Sequence, residues 1–330
     1  MSARAAAVAV ALGAAACGSF EDPTIVRDLR LLAAQASPPE QVVDVDPQNP
    51  LAVQFADVRV CALAADPGRR PLTWSMMICP PERDLRCGDL DQPFLVLEPA
   101  VRLGPADGVG QEACATVPAG PDLLAVVRRT IEDDPLAGFG GVDINLAIRV
   151  VPEGGGEADA VYAGKSIRFA ARVPAERVAN QNPVMTEVAG QIDRGNGLEE
   201  PAVVPAGACA SPEFGLQVPS GAKVKLAPRP LDGSEETYVV PTFEGGSRTF
   251  TENLRYQWLA TAGSFSRGET GGPRDGAGNP PALSTVWTAP TVDAGAEPRL
   301  VDLWVIQRDE RGGASWLPVC AVVRPRTSRG

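Results

Sequence analysis

Seven cysteines and no histidine set the chemistry open to this 330-residue chain. Imidazole is the commonest general base and the usual transition-metal ligand, so its absence removes Ser-His-Asp and Cys-His catalysis and most metal centres. Sulfur and carboxylates remain. Beyond Cys17 there are six cysteines, which permit fifteen pairings. Cys79 and Cys87 bracket the polar loop that holds Pro80, Pro81 and Arg83, so local closure pairs them first. Cys61 then remains for Cys114, and Cys209 for Cys320. Cys79 and Cys87 stand too far apart for a zinc knuckle, so neither a metal nor any other cofactor is expected. Adjacent acids such as Glu199 and Glu200 are the one route to a hydrolase, acting as acid and base without histidine. Adjacent acids more often mark a solvated loop.

Other motifs fail on spacing. Gly164, Lys165 and Ser166 end like a phosphate loop, but Asp159 occupies the place of the required upstream glycine. Ser220 and Lys223 match S-x-x-K without the companion motifs of serine acyl-enzymes. Asp44 and Asp46 begin like a calcium loop, but Gln48 and Asn49 replace the ligand and glycine that an EF-hand needs. Trp74, Trp258, Trp287, Trp304 and Trp316 resemble a sugar-stacking set, yet each falls inside a predicted strand, where core packing is the simpler role.

The elements that position these residues are short. The 34 glycines and 32 prolines interrupt the chain too often for long helices, which excludes a bundle or coiled coil. A 44% hydrophobic content is enough to build cores, and the length suits two domains. Net charge is −11, with no clustered basic face, so nucleic acid is not an expected partner. Leu29, Leu31 and Leu32 lead into Pro38 and Pro39 as an edge strand. Strands follow from Val53 to Leu63 and Leu72 to Ile78. Val142, Ile144, Leu146, Ile148 and Val150 alternate as one face of a half-buried strand, whose partner runs from Val161 to Val173. Pro121 opens a single short helix with Leu123, Leu124, Val127 and Ile131 on one face, stopped by Pro135 and Gly138. The pattern lapses near Val178. Seven further strands then run at Val184 to Val188, Ala222 to Leu226, Tyr238 to Phe243, Leu254 to Ala260, Thr285 to Thr288, Leu300 to Arg308 and Ser315 to Val323. Arg308 to Gly313 reads as the last hairpin, and Gly268 to Pro281 as a long surface loop.

At the start, Arg4 precedes the apolar run Ala5 to Ala16, too short to span a bilayer and suited to an export signal. The run ends at Cys17, which admits either an ordinary small-residue cleavage site or a lipoprotein site. Ala14, Ala15, Ala16 and Cys17 resemble the lipobox of bacterial lipoproteins, with Ala14 where leucine is preferred. That resemblance implies lipidation of Cys17, anchorage to the bilayer, and six thiols left to pair in an oxidising compartment. Gly18 stands where an aspartate resembles an inner-membrane retention signal, which favours the outer membrane.

The phrases LRLLAAQASPPE (29–40), NQNPV (180–184), YQWLATAGSFS (256–266), VWTAP (286–290) and LWVIQRDERGG (303–313) resemble uncharacterised envelope lipoproteins of the myxobacterial type, with immunoglobulin-like sandwiches. The resemblance carries fold and no reaction. The expected product is mainly β: residues 1–16 a signal peptide, 17–28 a lipidated tether, and 29–178 and 179–330 two immunoglobulin-like β-sandwich domains, the first with one short helix. Its expected role is a non-catalytic binding or structural module for a protein or polysaccharide. The alternative is a carboxylate-based envelope hydrolase.

Overall fold

The computed structural model describes residues 22–45, 48, 53–78, 95–97, 100–193 and 199–326. Cys17, Asp46, Cys79 and Cys87, and with them the expected anchor and the Cys79–Cys87 bridge, lie outside the described residues. The protein is mainly β, with one α-helix among the described residues.

The first half contains β1 (Arg30–Ser37), β2 (Glu40–Val43), β3 (Val58–Ala65), β4 (Leu72–Ile78), β5 (Leu95–Val96), β6 (Val101–Leu103), β7 (Gly110–Val117), α1 (Pro121–Asp133), β8 (Val142–Pro152) and β9 (Val161–Ala171). One sheet has the order β1-β3-β7-β6 and the facing sheet β2-β9-β8-β4-β5. Period-two patterning places Val58, Val60, Ala62, Ala113 and Ala115 of the first sheet against Trp74, Met76, Ile144, Ile148 and Ile167 of the second. The β8–β9 pair is antiparallel, with Ile144 opposite Ile167. In α1 the buried residues are Leu123, Val126, Val127 and Thr130, so the inward face is rotated from the expected one and Ile131 sits at its exposed rim. Thr130 can face inward because its hydroxyl donates to the Val126 carbonyl, 2.9 Å away.

The second half contains β10 (Met185–Asp193), β11 (Glu199–Val204), β12 (Leu216–Pro219), β13 (Lys223–Pro230), β14 (Thr237–Pro241), β15 (Ser247–Thr251), β16 (Arg255–Ala260), β17 (Ser264–Phe265), β18 (Glu269–Gly271), β19 (Thr285–Thr288), β20 (Arg299–Arg308) and β21 (Ala314–Arg324). Its two large sheets run β11-β10-β13-β19-β17 and β12-β21-β20-β16-β18, while β14 and β15 form a separate hairpin. Trp258, Trp287, Val224, Leu226, Leu303 and Val305 fill the space between the large sheets. The expected Gly268 to Pro281 loop begins as strand, because Glu269–Gly271 pairs with β16.

A third apolar cluster joins the halves. Leu32, Ala33, Leu63 and Ala65, on the outer face of the β1-β3 sheet, pack with Leu259, Trp304 and Ile306 from the outer face of the β20-β16 sheet. This explains why β3 and β20 are buried almost without interruption instead of alternating. Gly110 is part of the fit: a Cβ there would stand 3.1 Å from the Trp304 Nε1.

Candidate functional site

The densest polar assembly forms where the two halves meet beside this seam. After β1 the chain turns through Pro38 and Pro39 into β2, which runs parallel to β9, and this crossing from one sheet to the other sets Glu40 inside, 1% exposed. A bare carboxylate at that depth costs several kcal/mol, so it must be paired and hydrogen-bonded. Both oxygens are. Arg177 Nη2 donates to Oε1 at 2.9 Å, the Asn180 N–H donates to Oε2 at 2.9 Å, and Arg311 Nη2 also donates to Oε2.

Arg311 comes from the turn between β20 and β21. Asp309 Oδ1 shapes that turn by accepting the N–H groups of Arg311 (2.8 Å) and Gly313 (2.7 Å). A side chain at position 313 would drive a Cβ into Asp309, which is why glycine stands there. The other Arg311 nitrogen meets Glu252 at 3.4 Å and Glu236 at 3.5 Å, and the guanidinium lies 4.6 Å from the Tyr238 ring centroid. Asn180 and Asn182 lace the connecting segment to both sides: Asn180 Nδ2 donates to Asp309, while Asn182 donates to Ala36 O and accepts from the Ala314 N–H.

Above this assembly lies a cleft of about 400 Å³. Its wall includes Glu40, Asp143, Arg168, Arg177, Tyr238 and Arg311. Its carboxylates are engaged within the protein: Glu40 as above, Asp143 by Arg168 at 3.0 Å, and Glu310 by Asn253 Nδ2 at 3.0 Å. Burial raises the Glu252 carboxyl to about 7, helped by the Asp309 charge. Burial likewise lowers the Lys165 ammonium to about 8, against the pull of Asp309.

The residues singled out from sequence are dispersed. Cys61 and Cys114 are directly opposite on β3 and β7 and are bonded; Cys209 is bonded to Cys320 of β21. Glu112 approaches the first pair, but both sulfurs are spent on each other, and Glu112 accepts the Trp316 indole N–H at 3.2 Å. Glu199 and Glu200 are in strand β11, not in the expected loop, because the segment pairs with β10 in spite of Pro201. Lys165 and Ser166 belong to β9, where Lys165 Nζ donates to Gly312 O. The Ser220 hydroxyl accepts the Val292 N–H at 2.8 Å, and Lys223 is exposed at the start of β13. Asp44 is paired with Arg172 at 2.8 Å. Trp258, Trp287 and Trp304 are at most 2% exposed, and Trp74 is buried too, so these four build cores and offer no stacking platform.

Sequence reading missed Glu40, Arg177, Glu252 and Arg311. The signal that was present is positional: three of the phrases quoted above, 29–40, 180–184 and 303–313, converge here through Glu40, Asn180 and Arg311.

No protein-family model matches the chain, and no curated protein matches it. Among solved structures, the chain is similar to "Biofilm associated protein - BSP domain", with 7% identity and a TM-score of 0.23 over 93% of this chain and 61% of that one. It is also similar to "BspA_C_WT", with 10% identity and a TM-score of 0.17 over 86% of this chain and 100% of that one. The "Streptococcus agalactiae AgI/II polypeptide BspA C terminal domain (WT)" shows 10% identity and a TM-score of 0.16 over 88% and 100% of the respective chains. The chain spans about three fifths of the first of these. Scores this low transfer no function. No helix among the described residues is long and apolar enough to cross a membrane.

Proposed function

We propose that the protein is a non-catalytic binding or structural module of the bacterial cell envelope, made of two immunoglobulin-like sandwiches that meet near residue 178. It is fastened to the outer membrane by lipid on Cys17 after removal of residues 1–16, and it presents its cleft face to a protein or polysaccharide. One observation carries the non-catalytic reading: the buried carboxylate of the cleft, Glu40, has both oxygens taken by two arginines and a backbone amide, and the exposed Asp143 and Glu310 are hydrogen-bonded to Arg168 and Asn253. A general acid or nucleophile needs a carboxylate free to meet substrate. The lipobox resemblance and the apolar run before Cys17 support the anchor.

The test is to incubate the protein with envelope polysaccharide and measure retention and bond cleavage together. Retention without release of new reducing ends is the expected result. Release that disappears in D143N, E310Q or E200Q would overturn it in favour of the histidine-free hydrolase.

A further inference from the structure

The β14–β15 hairpin stands apart from both large sheets and touches the rest of the molecule at its two ends. All of β15 is exposed. At the tip, Phe243 is 76% exposed yet stacks on Phe139 of the loop after α1, with ring centroids 4.8 Å apart. At the base, Glu236 and Glu252 close the open end: the Glu252 N–H donates to Glu236 O at 2.9 Å, and the Glu236 N–H donates to the Glu252 carboxylate at 3.3 Å. Between base and tip, Tyr238, Val239 and Val240 form one wall of the cleft.

The base sits on a charge imbalance. Facing Glu252 are Glu236 and Tyr238 from the hairpin and Asp309 and Arg311 from the β20–β21 turn, and Glu310 faces Tyr238. Glu40 and Arg177 join through Arg311. Three carboxylates, Glu40, Glu236 and Glu252, thus share two guanidiniums while Asp309 faces the Lys165 ammonium, and the Glu252 side chain has no exposure with which to shed its charge into water. One proton on this cluster restores the balance.

We propose that the hairpin is a strap over the cleft, docked while Glu252 holds that proton and loosened when it is lost. Protonated Glu252 still accepts from Arg311 and from the Glu236 N–H; ionised, it repels Asp309 and Glu236 from inside the seam. The direction follows from linkage. Glu252 is raised to about 7 from an ordinary 4.5, so docking is complete in acid and is lost as pH rises through about 7. Lifting the strap opens one wall of the cleft and uncovers Phe139. The device is independent of what the cleft binds.

Hydrogen exchange of the full chain, corrected for intrinsic rates and measured from pH 6 to 8.5, tests this. Amides of residues 237–240 and Ser247–Thr251 are expected to lose protection about tenfold over that range, the ratio that a return of Glu252 to its ordinary value gives by linkage. Protection in β20 stays constant, which separates strap opening from global unfolding. E252Q keeps the strap protected at every pH. F243A, altered at an exposed tip that does not threaten folding, exchanges faster throughout but retains the pH step. A wild-type strap with pH-independent protection, an unchanged step in E252Q, or no step in F243A would overturn the proposal.

Discussion

Truncating Glu40 leaves the Asn180 amide without its acceptor and Arg177 without its carboxylate, while Arg311 keeps Glu236 and Glu252. The cost is therefore set by what stays behind in the seam, not by the worth of the ion pair itself. Breaking a buried pair from one side costs about 3–5 kcal/mol, and E40A is expected to lose that much stability in denaturant unfolding. A loss below about 1 kcal/mol would mean that Arg177 and the Asn180 amide find water instead. Lys165 makes the opposite prediction. Its folded value of about 8 lies below the ordinary 10.5, so the folded state resists the proton, and that penalty is present below pH 8 and fades as pH rises toward 10.5. K165M is expected to be more stable than the wild type at pH 7, with the difference shrinking between pH 8 and 10.5 in parallel melts. None of these roles was legible in the sequence. Glu40 and Arg311 are 271 residues apart, and no local pattern distinguishes a buried glutamate after two prolines from a solvated one.

The strands were legible where one face meets water. Val142 to Val150 alternates because Asp143 and Asn145 point outward, and β8 forms there with Phe169 and Ile167 of β9 opposite it. Alternation fails where both faces are covered. Leu63 and Ala65 are buried on the far side of β3 from Val60 and Ala62, so the segment reads as a continuous apolar run. β7 went unseen for another reason: Gly110, Glu112 and Cys114 break the expected composition, since a glycine is needed against Trp304 and a glutamate against Trp316. G110V tests that fit. Extra methyls directed at the Trp304 indole are expected to cost about 1–3 kcal/mol, read as a lowered melting temperature. A melting temperature equal to wild type would show that the two sheets separate without loss.

Across the described residues, two hydrophobic cores and the seam between them account for the burial of both outer sheet faces, and two disulfides hold elements far apart in sequence. Bridges that close such long loops typically contribute about 2–4 kcal/mol each, which suits a chain folded outside a reducing cytosol. Fold class was readable from turn density and the spacing of apolar runs. The cleft was not, because it is assembled from Glu40, Arg177, Tyr238 and Arg311 only after both halves have folded and met. The claim on which the functional account rests is export followed by anchorage at Cys17. Intact mass of the protein extracted from envelope membranes measures it directly: the account predicts a chain that begins at Cys17 and carries the added mass of a diacylglyceryl thioether and an acylated amine. A mass equal to the full 34.4 kDa polypeptide, leader included and without lipid, would contradict it.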